Sequence, residues 1–180
     1  MSSDFDYLTF LRKRCQHDTE LMNAPKKESD TEDKSLDFKD DIKHCNNPEL
    51  VDEIRAKLLN SIEGMFYISE ADYPFTFFFI PSSKISEKGL STSKVLSVEE
   101  FRQVINLDTP LADSQISLEE FFQPFEDSSE YQSLEKTFRQ FFEPDHLSIY
   151  RLGEIEISVW ITGLIEDVGL IGVSTLSIES

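Results

Sequence analysis

The chain ends with LSIYRLGEIEISVWITGLIEDVGLIGVSTLSIES, residues 147–180, in which apolar and polar side chains alternate. This alternation is typical of β-strands, whose successive side chains point to opposite faces of a sheet. It predicts three strands, at residues 147–154, 155–163 and 169–178. Because short turns separate them, we expect an antiparallel meander that runs almost to the last residue.

The second of these strands is predicted to place Ile155, Ile157, Val159 and Ile161 on one face. Further upstream, the stretch FTFFFI (75–80) is apolar on both faces. A strand with no polar face is typical of a sheet that helices cover on each side. The sequence therefore predicts a sheet buried between helical layers.

A helical period dominates the middle of the chain. The stretch NPELVDEIRAKLLNSIEG (47–64) predicts a helix with Asn47 as its cap and Pro48 in its first turn. Its predicted apolar stripe consists of Leu50, Ile54, Leu58, Leu59 and Ile62. We expect a longer helix over residues 127–143 and a loop over residues 81–94.

Two capping boxes predict two more helix starts. Ser97 pairs with Glu100 and Ser117 with Glu120 at the spacing at which the two residues cap one another's backbone. With helices before, between and beside strands, the composition is α/β and the sheet is expected to be mostly antiparallel.

The chain is expected to divide near residue 48. Residues 4–14 predict a short amphipathic helix, whereas residues 23–47 mix charges of both signs with few apolar side chains. Such a composition cannot bury enough surface to order itself. We therefore expect a flexible arm over residues 1–47 and one folded domain over residues 48–180.

The chain is strongly acidic, with a formal charge of −18. Residues 50–180 hold 23 acidic residues against 9 Lys and Arg, a net charge of −14. This charge argues against direct binding to DNA, RNA or an anionic membrane, because all of them are negative. It favours a cationic partner, such as a protein whose own groove binds nucleic acid.

Two features predict a cytoplasmic location. The first 25 residues have no apolar run that would suit a secretory signal, and no stretch is long and apolar enough to span a membrane. The two cysteines form no disulfide framework, which favours a reducing compartment.

Cys15, His17, His44 and Cys45 have the side-chain types of a zinc site. Their spacings match no common zinc motif, and adjacent ligands reach one metal only through a strained turn. We expect scattered thiols and imidazoles, and no metal or cofactor of the protein's own.

Motifs for catalysis are lacking. The sequence has no phosphate-binding glycine loop, nucleophile elbow or zinc-protease motif. His146 is predicted to be an exposed loop residue, and acidic pairs such as Glu119–Glu120, Glu154–Glu156 and Glu166–Asp167 are commonplace in a chain with 35 carboxylates. The sequence therefore predicts a protein that is not an enzyme.

Two blocks carry a resemblance to a known family. They are YRLGEIEISVWITG followed by GLIGVSTLSIES (150–163 and 169–180), and GMFYISEADYPFTFF (64–78). Both are similar to the nuclease A inhibitor family, small acidic proteins that block sugar-non-specific nucleases of the ββα-metal type. The resemblance spans residues 48–180, and the residues between about 81 and 145 do not align one to one.

The resemblance implies a three-layer α/β/α sandwich and steric inhibition, with an acidic surface over the nuclease's substrate cleft. In the family, two inhibitor groups reach the enzyme's catalytic metal. They correspond here to Glu70, in the SE before the Tyr-Pro block, and to the C-terminal Ser180. The family usually ends in Thr, and Ser180 keeps both the hydroxyl and the α-carboxylate.

We therefore expect an inhibitor of a non-specific nuclease, a monomer that forms a heterodimer with its target through Glu70 and Ser180. The alternative is a non-catalytic acidic module that keeps the fold but binds another basic protein, with residues 1–47 as the candidate contact region.

Overall fold

The computed structural model describes residues 38–107 and 112–179. The strands in these ranges are β1 (Phe66–Tyr67), β2 (Tyr73–Pro74), β3 (Thr76–Pro81), β4 (Ser114–Ile116), β5 (Leu147–Leu152), β6 (Glu156–Ile165) and β7 (Gly169–Ile178). The α-helices are α1 (Lys39–Lys43), α2 (Pro48–Ile62), α3 (Ser82–Glu87), α4 (Val98–Val104), α5 (Leu118–Phe122) and α6 (Ser129–Phe141). Short 3₁₀ turns occupy Gln123–Phe125 and Pro144–His146. The predicted helix at residues 4–14 lies outside the described residues.

The main sheet has five strands in the order β3–β7–β6–β5–β4, and every neighbouring pair is antiparallel. Strands β5, β6 and β7 follow one another along the chain and in the sheet, as the predicted meander requires. The β6–β7 pairing is the longest and runs from Glu156 opposite Ile178 to Ile165 opposite Gly169. Strands β1 and β2 form a separate two-stranded hairpin.

One face of the sheet is covered by α1, α2, α5 and α6. The side chains of Ile157, Val159 and Ile161 point to this face from β6, as the alternation predicts. Helix α2 begins at the expected cap, where the Asn47 side chain accepts a hydrogen bond from Leu50 N at 3.3 Å. It buries Val51, Ile54, Leu58 and Ile62, whereas Leu59, which was expected in the stripe, is 39% exposed.

The other face of the sheet is covered by α3 and α4. Its centre is Trp160, which is fully buried and meets Phe78 and Phe101 edge-on at ring-centroid distances of 5.0 and 5.6 Å. Phe101 stacks on Tyr150 at 4.0 Å, and the Tyr150 hydroxyl donates to Leu96 O at 2.7 Å. Helices on both faces make the domain a three-layer α/β/α sandwich, which confirms the predicted fold class.

One predicted capping box is complete, and the other is formed by its serine side chain alone. Ser97 Oγ accepts from Glu100 N at 3.2 Å, and Glu100 Oε2 accepts from Ser97 N at 2.7 Å, which completes the capping box of α4. At α5, Ser117 Oγ accepts from Glu120 N at 3.1 Å. Each cap satisfies backbone N–H groups that a helix start otherwise leaves without an acceptor.

Residues 38–47 were predicted to belong to the arm, but they pack on the domain. Ile42 in α1 is only 3% exposed, and the Phe38 ring meets the edge of Phe77 at 6.0 Å. These two apolar side chains provide the buried surface that the surrounding charged residues lack. The structure leaves the predicted boundary near residue 48 otherwise untested.

Three elements differ from the sequence prediction. Residues 81–94 were expected to form a loop, yet they contain α3, which buries Ile85. The start of α3 is held by contacts to a distant turn, since Ser82 N and Ser82 Oγ donate to Val168 O and Asp167 O. Strand β4 and the β1–β2 hairpin were also missed, because strands of two or three residues are too short to show a period.

A largely buried ion pair fixes α4 to the segment before β4. Arg102 Nε lies 3.2 Å from Asp113 Oδ2, and the two side chains are only 17% and 7% exposed. Burial raises the pKa of Asp113, whereas the Arg102 charge and a hydrogen bond from the Gly153 backbone lower it. The ion pair therefore offsets part of the cost of burying the Asp113 carboxylate.

We predict that Arg102→Met lowers the free energy of unfolding by about 1–3 kcal/mol at neutral pH, because it leaves a buried carboxylate unpaired. A carboxyl whose pKa is higher in the folded protein binds more protons when folded, so its contribution to stability grows as the pH falls. Without Arg102 the pKa of Asp113 rises further, and part of the loss should be recovered as the pH falls from about 7 to about 4, the ordinary pKa of an aspartate.

Urea unfolding of wild type and variant at both pH values measures this recovery. In an Asp113→Asn background, the effect of Arg102→Met should not depend on pH. Equal losses at the two pH values in the wild-type background would contradict the prediction.

Candidate binding surface at one end of the sheet

Three segments meet at the end of the sheet where β7 stops. They are the β1–β2 hairpin with its loop, the β5–β6 turn, and the residues that end β7. We call the surface formed by residues 66–72, 153–156 and 178–179 the terminal face. The hairpin loop and the β5–β6 turn contact the end of β7 from opposite sides, because successive backbone N–H groups of a strand point in opposite directions.

The hairpin loop is bonded to the end of β7 through Ile178. Glu70 N donates to Ile178 O at 3.3 Å, and Ile178 N donates to Ser69 Oγ at 3.1 Å. The same serine hydroxyl donates to Ala71 O at 2.7 Å, which closes the loop on itself. Because β3 pairs with β7 only as far as Ser174, this loop satisfies backbone groups of β7 beyond the pairing.

The β5–β6 turn is bonded to the other side of the strand end. Glu179 N donates to Ile155 O at 3.0 Å. The turn requires glycine at position 153, where φ is +130° and a Cβ atom would lie 2.1 Å from Glu156 O. The backbone that carries Ile155 is therefore held in one conformation.

The Glu179 side chain is held by two further contacts. Its Oε1 atom is paired with the Arg151 guanidinium and accepts from Ser177 Oγ at 3.0 Å. Since the Glu179 side chain is 47% exposed, the ion pair contributes little to stability. The two contacts orient the Glu179 side chain against β5 and β7.

The resemblance implicates Glu70 and Ser180, and the structure describes only the first of them. The Glu70 side chain is exposed, and its backbone is bonded to Ile178, two residues before Ser180. Ser180 itself lies outside the described residues. The structure thus places Glu70 beside the end of β7, and the roles of Glu70 and Ser180 stay predictions.

Two buried tyrosines, Tyr67 and Tyr131, lie at the terminal face. The Tyr131 hydroxyl donates to Phe66 O at 3.1 Å, and its own oxygen accepts a hydrogen bond from the Ile68 backbone N–H. Burial raises the pKa of Tyr131 to about 12, so this hydroxyl stays protonated at physiological pH. Burial also raises the pKa of Tyr67, with Arg151 opposing the shift and Glu179 adding to it.

The terminal face is acidic. Its carboxylates are all on exposed residues, and they belong to Glu70, Asp72, Glu154, Glu156 and Glu179. One of them is paired with Arg151. A surface with this excess of negative charge attracts a cationic partner and repels nucleic acid.

The other sequence candidates are dispersed. The residues of the acidic pairs Glu119–Glu120, Glu154–Glu156 and Glu166–Asp167 are all exposed. His146 is half-buried rather than exposed. Within residues 38–107 and 112–179, no group of three or more His, Cys, Asp or Glu side chains is arranged to hold a metal ion.

Of the four residues with zinc-ligand side chains, two belong to the described part of the chain. Cys15 and His17 lie outside the described residues. His44 and Cys45 follow α1, and Cys45 is a free thiol packed against the apolar core. Among the described helices, none has the length and apolarity needed to cross a bilayer.

Sequence reasoning missed several residues that build this surface. The sequence carries no signal for the bond between Ser69 and Ile178 or for the pairing of Arg151 with Glu179. Ile155 was expected to lie in a strand with Ile157, yet it precedes β6 and is 65% exposed. The glycine at position 153 is the one local signal of the turn that lifts Ile155 out of the sheet.

Comparison with known proteins adds one finding. The model of the family described as nuclease A inhibitor-like protein matches residues 52–180. The match begins within α2 and includes every strand of the described structure and the whole terminal face. No curated protein matches the chain.

We predict that Tyr131→Phe loosens the terminal face. The substitution removes the hydroxyl that is bonded to Phe66 and Ile68, at a cost of about 1 kcal/mol in unfolding free energy. Amide hydrogen exchange over residues 66–72 should become faster.

Tyr150→Phe is the matched control, because it removes a hydroxyl bond to Leu96 on the opposite face of the sheet. It should cost a similar stability and leave exchange over residues 66–72 unchanged. Unchanged exchange in this segment of Tyr131→Phe would refute the positioning role.

Proposed function

Because the chain belongs to the nuclease A inhibitor-like protein family, we propose that it inhibits a sugar-non-specific nuclease by covering the cleft that binds nucleic acid. The single observation that best supports this proposal is the bonding of the Glu70 loop to the end of β7. That bonding brings a carboxylate loop and the approach to the chain terminus to one acidic face.

The proposed mechanism is mimicry of a nucleic acid backbone. A nuclease cleft is positively charged because it binds phosphates, and the terminal face offers carboxylates in their place. A divalent ion that binds a phosphate oxygen also accepts a carboxylate oxygen. We propose that Glu70 and the terminal Ser180 supply such oxygens to the catalytic metal of the nuclease, which belongs to the target and not to this chain.

Rigidity is the second part of the proposal. The loop that carries Glu70 is bonded to Ile178 and supported by Tyr131, and Glu179 is held by Ile155 and Arg151. Groups that are ordered before binding lose little conformational entropy when the complex forms. Inhibition of this kind needs no catalytic group on the inhibitor, and we propose a heterodimer formed in the cytoplasm of the cell that makes both proteins.

We predict that the purified protein abolishes cleavage of DNA and RNA by a cognate ββα-metal nuclease at near-equimolar ratio. Glu70→Gln should weaken inhibition by about tenfold to a hundredfold, because it removes a charge that faces the cationic cleft. Inhibition constants from nuclease titrations measure the effect.

Glu166→Gln provides the matched control, since it makes the same charge change on an exposed side chain at the opposite end of β6. It should inhibit like the wild type. Full cleavage with the wild type in excess would refute the proposed function. If both variants lost inhibition equally, Glu70 would contribute only through the net charge of the protein.

We predict a similar loss when Ser180 is deleted or extended by added residues, because either change moves the α-carboxylate. Circular dichroism should show an unchanged fold, since Glu179 is the last residue with described contacts to the sheet. If both variants inhibited as strongly as the wild type, the α-carboxylate of Ser180 would have no part in inhibition.

The alternative function, a module that binds a different basic protein, predicts another outcome. The family match begins at residue 52, so the segment before it lies outside the inhibitor-like region. A chain that lacks residues 1–37 should inhibit the nuclease fully if the terminal face is sufficient. Loss of all partner binding on this truncation would favour the module.

A further inference from the structure

Exposed apolar side chains are concentrated on the terminal face. Among the described residues, the large apolar side chains that stay exposed are Leu59, Phe66, Ile68 and Ile155. All but Leu59 lie on the terminal face, and Ile68 and Ile155 are the most exposed, at 69% and 65%. A single exposed isoleucine needs no explanation, but a group of apolar residues around one acidic surface is typical of an interaction site.

The two isoleucines flank the end of β7. Ile68 precedes the loop residues Ser69 and Glu70, which are bonded to Ile178 on one side of the strand. Ile155 accepts a hydrogen bond from Glu179 N on the other side. The acidic strand end thus lies between two apolar side chains that stand on separate loops.

Both isoleucines stand on backbone that the fold holds in place. The Ile68 backbone is bonded to the Tyr131 hydroxyl, and the Ile155 turn follows Gly153 in a conformation that suits only glycine. Their exposure is therefore not a result of loose loops. Folding does not require apolar residues at these two positions, because their side chains contribute little to either core.

Charge identifies the kind of partner. Carboxylates adjoin both isoleucines in sequence, with Glu70 and Asp72 after Ile68 and Glu154 and Glu156 on either side of Ile155. A second copy of this chain would bring like charges together, and nucleic acid would be repelled for the same reason. A protein with cationic groups beside apolar hollows fits both features.

We propose that Ile68 and Ile155 are the apolar anchors of the interface with the nuclease, and that they seat in hollows on either side of its cationic cleft. This inference rests on the proposed function. A few side chains that become fully desolvated in pockets of the partner carry most of the binding energy of an interface. The charged and the apolar contacts then affect different rate constants. The carboxylates accelerate association, and the isoleucines slow dissociation.

The test uses the full-length protein and the same purified ββα-metal nuclease, with rates measured by surface plasmon resonance at low and at high salt. Ile68→Ala and Ile155→Ala should each raise the dissociation rate by about tenfold or more and change the association rate by less than about twofold. The effect on dissociation should persist at high salt, because it does not depend on charge.

Leu59→Ala is the matched control, since Leu59 is an exposed apolar residue on α2 and is not one of the residues of the terminal face. It should dissociate like the wild type. Glu70→Gln should mainly slow association at low salt, which separates the charge contact from the apolar contact.

The outcomes separate the two proposals. Nuclease binding by the wild type with unchanged dissociation of both alanine variants would overturn the anchor proposal alone. No binding by the wild type would overturn the proposed function together with the anchors that rest on it. A wild-type dimer in sedimentation velocity that Ile155→Ala converts to a monomer would identify a second copy as the occupant and overturn the anchor proposal.

Discussion

The antiparallel pairing of β6 with β7 is the contact on which the rest of the structure depends. The two strands pair along their full length, and their side chains supply the centre of both apolar cores. Because the pairing is antiparallel, the end of β7 lies beside the start of β6. The end of β7 and the β5–β6 turn therefore meet at one end of the sheet, where the β1–β2 hairpin loop completes the terminal face.

Much of this architecture is predictable because its signals are local. The limits of β7 agree with the alternation at residues 169–178, and the two faces of β6 follow its period. The start of α4 follows from Ser97 and Glu100, which are three residues apart. The elements that were missed have no local signal, since α3 depends on hydrogen bonds from Ser82 to the turn at residues 167–168. Strand β4 similarly relies on Gln115, whose side chain donates to Ser148 Oγ at 2.6 Å.

The candidate site was less predictable than the fold. Glu70 was singled out by family resemblance, and its neighbourhood could not be derived from the sequence, because Ser69 and Ile178 are 109 positions apart. Ile155 shows the opposite failure. Its alternation with Ile157 predicted a buried strand residue, and the positive φ of Gly153 overrode that pattern. The two-residue alternation predicts to which face of the sheet a strand's side chains point. It does not predict at which residue a turn ends the strand.

The same arrangement explains how an acidic surface is tolerated in the free protein. Carboxylates placed close together repel one another, and this repulsion lowers the stability of the fold that presents them. The exposed position of the terminal face limits the cost, because water and salt screen the charges. A cationic cleft that covers the face replaces that screening with paired charge in a drier environment, where attraction is stronger. Clustered charge at the end of an apolar sandwich is thus a small cost to the free domain and a source of attraction in the proposed complex.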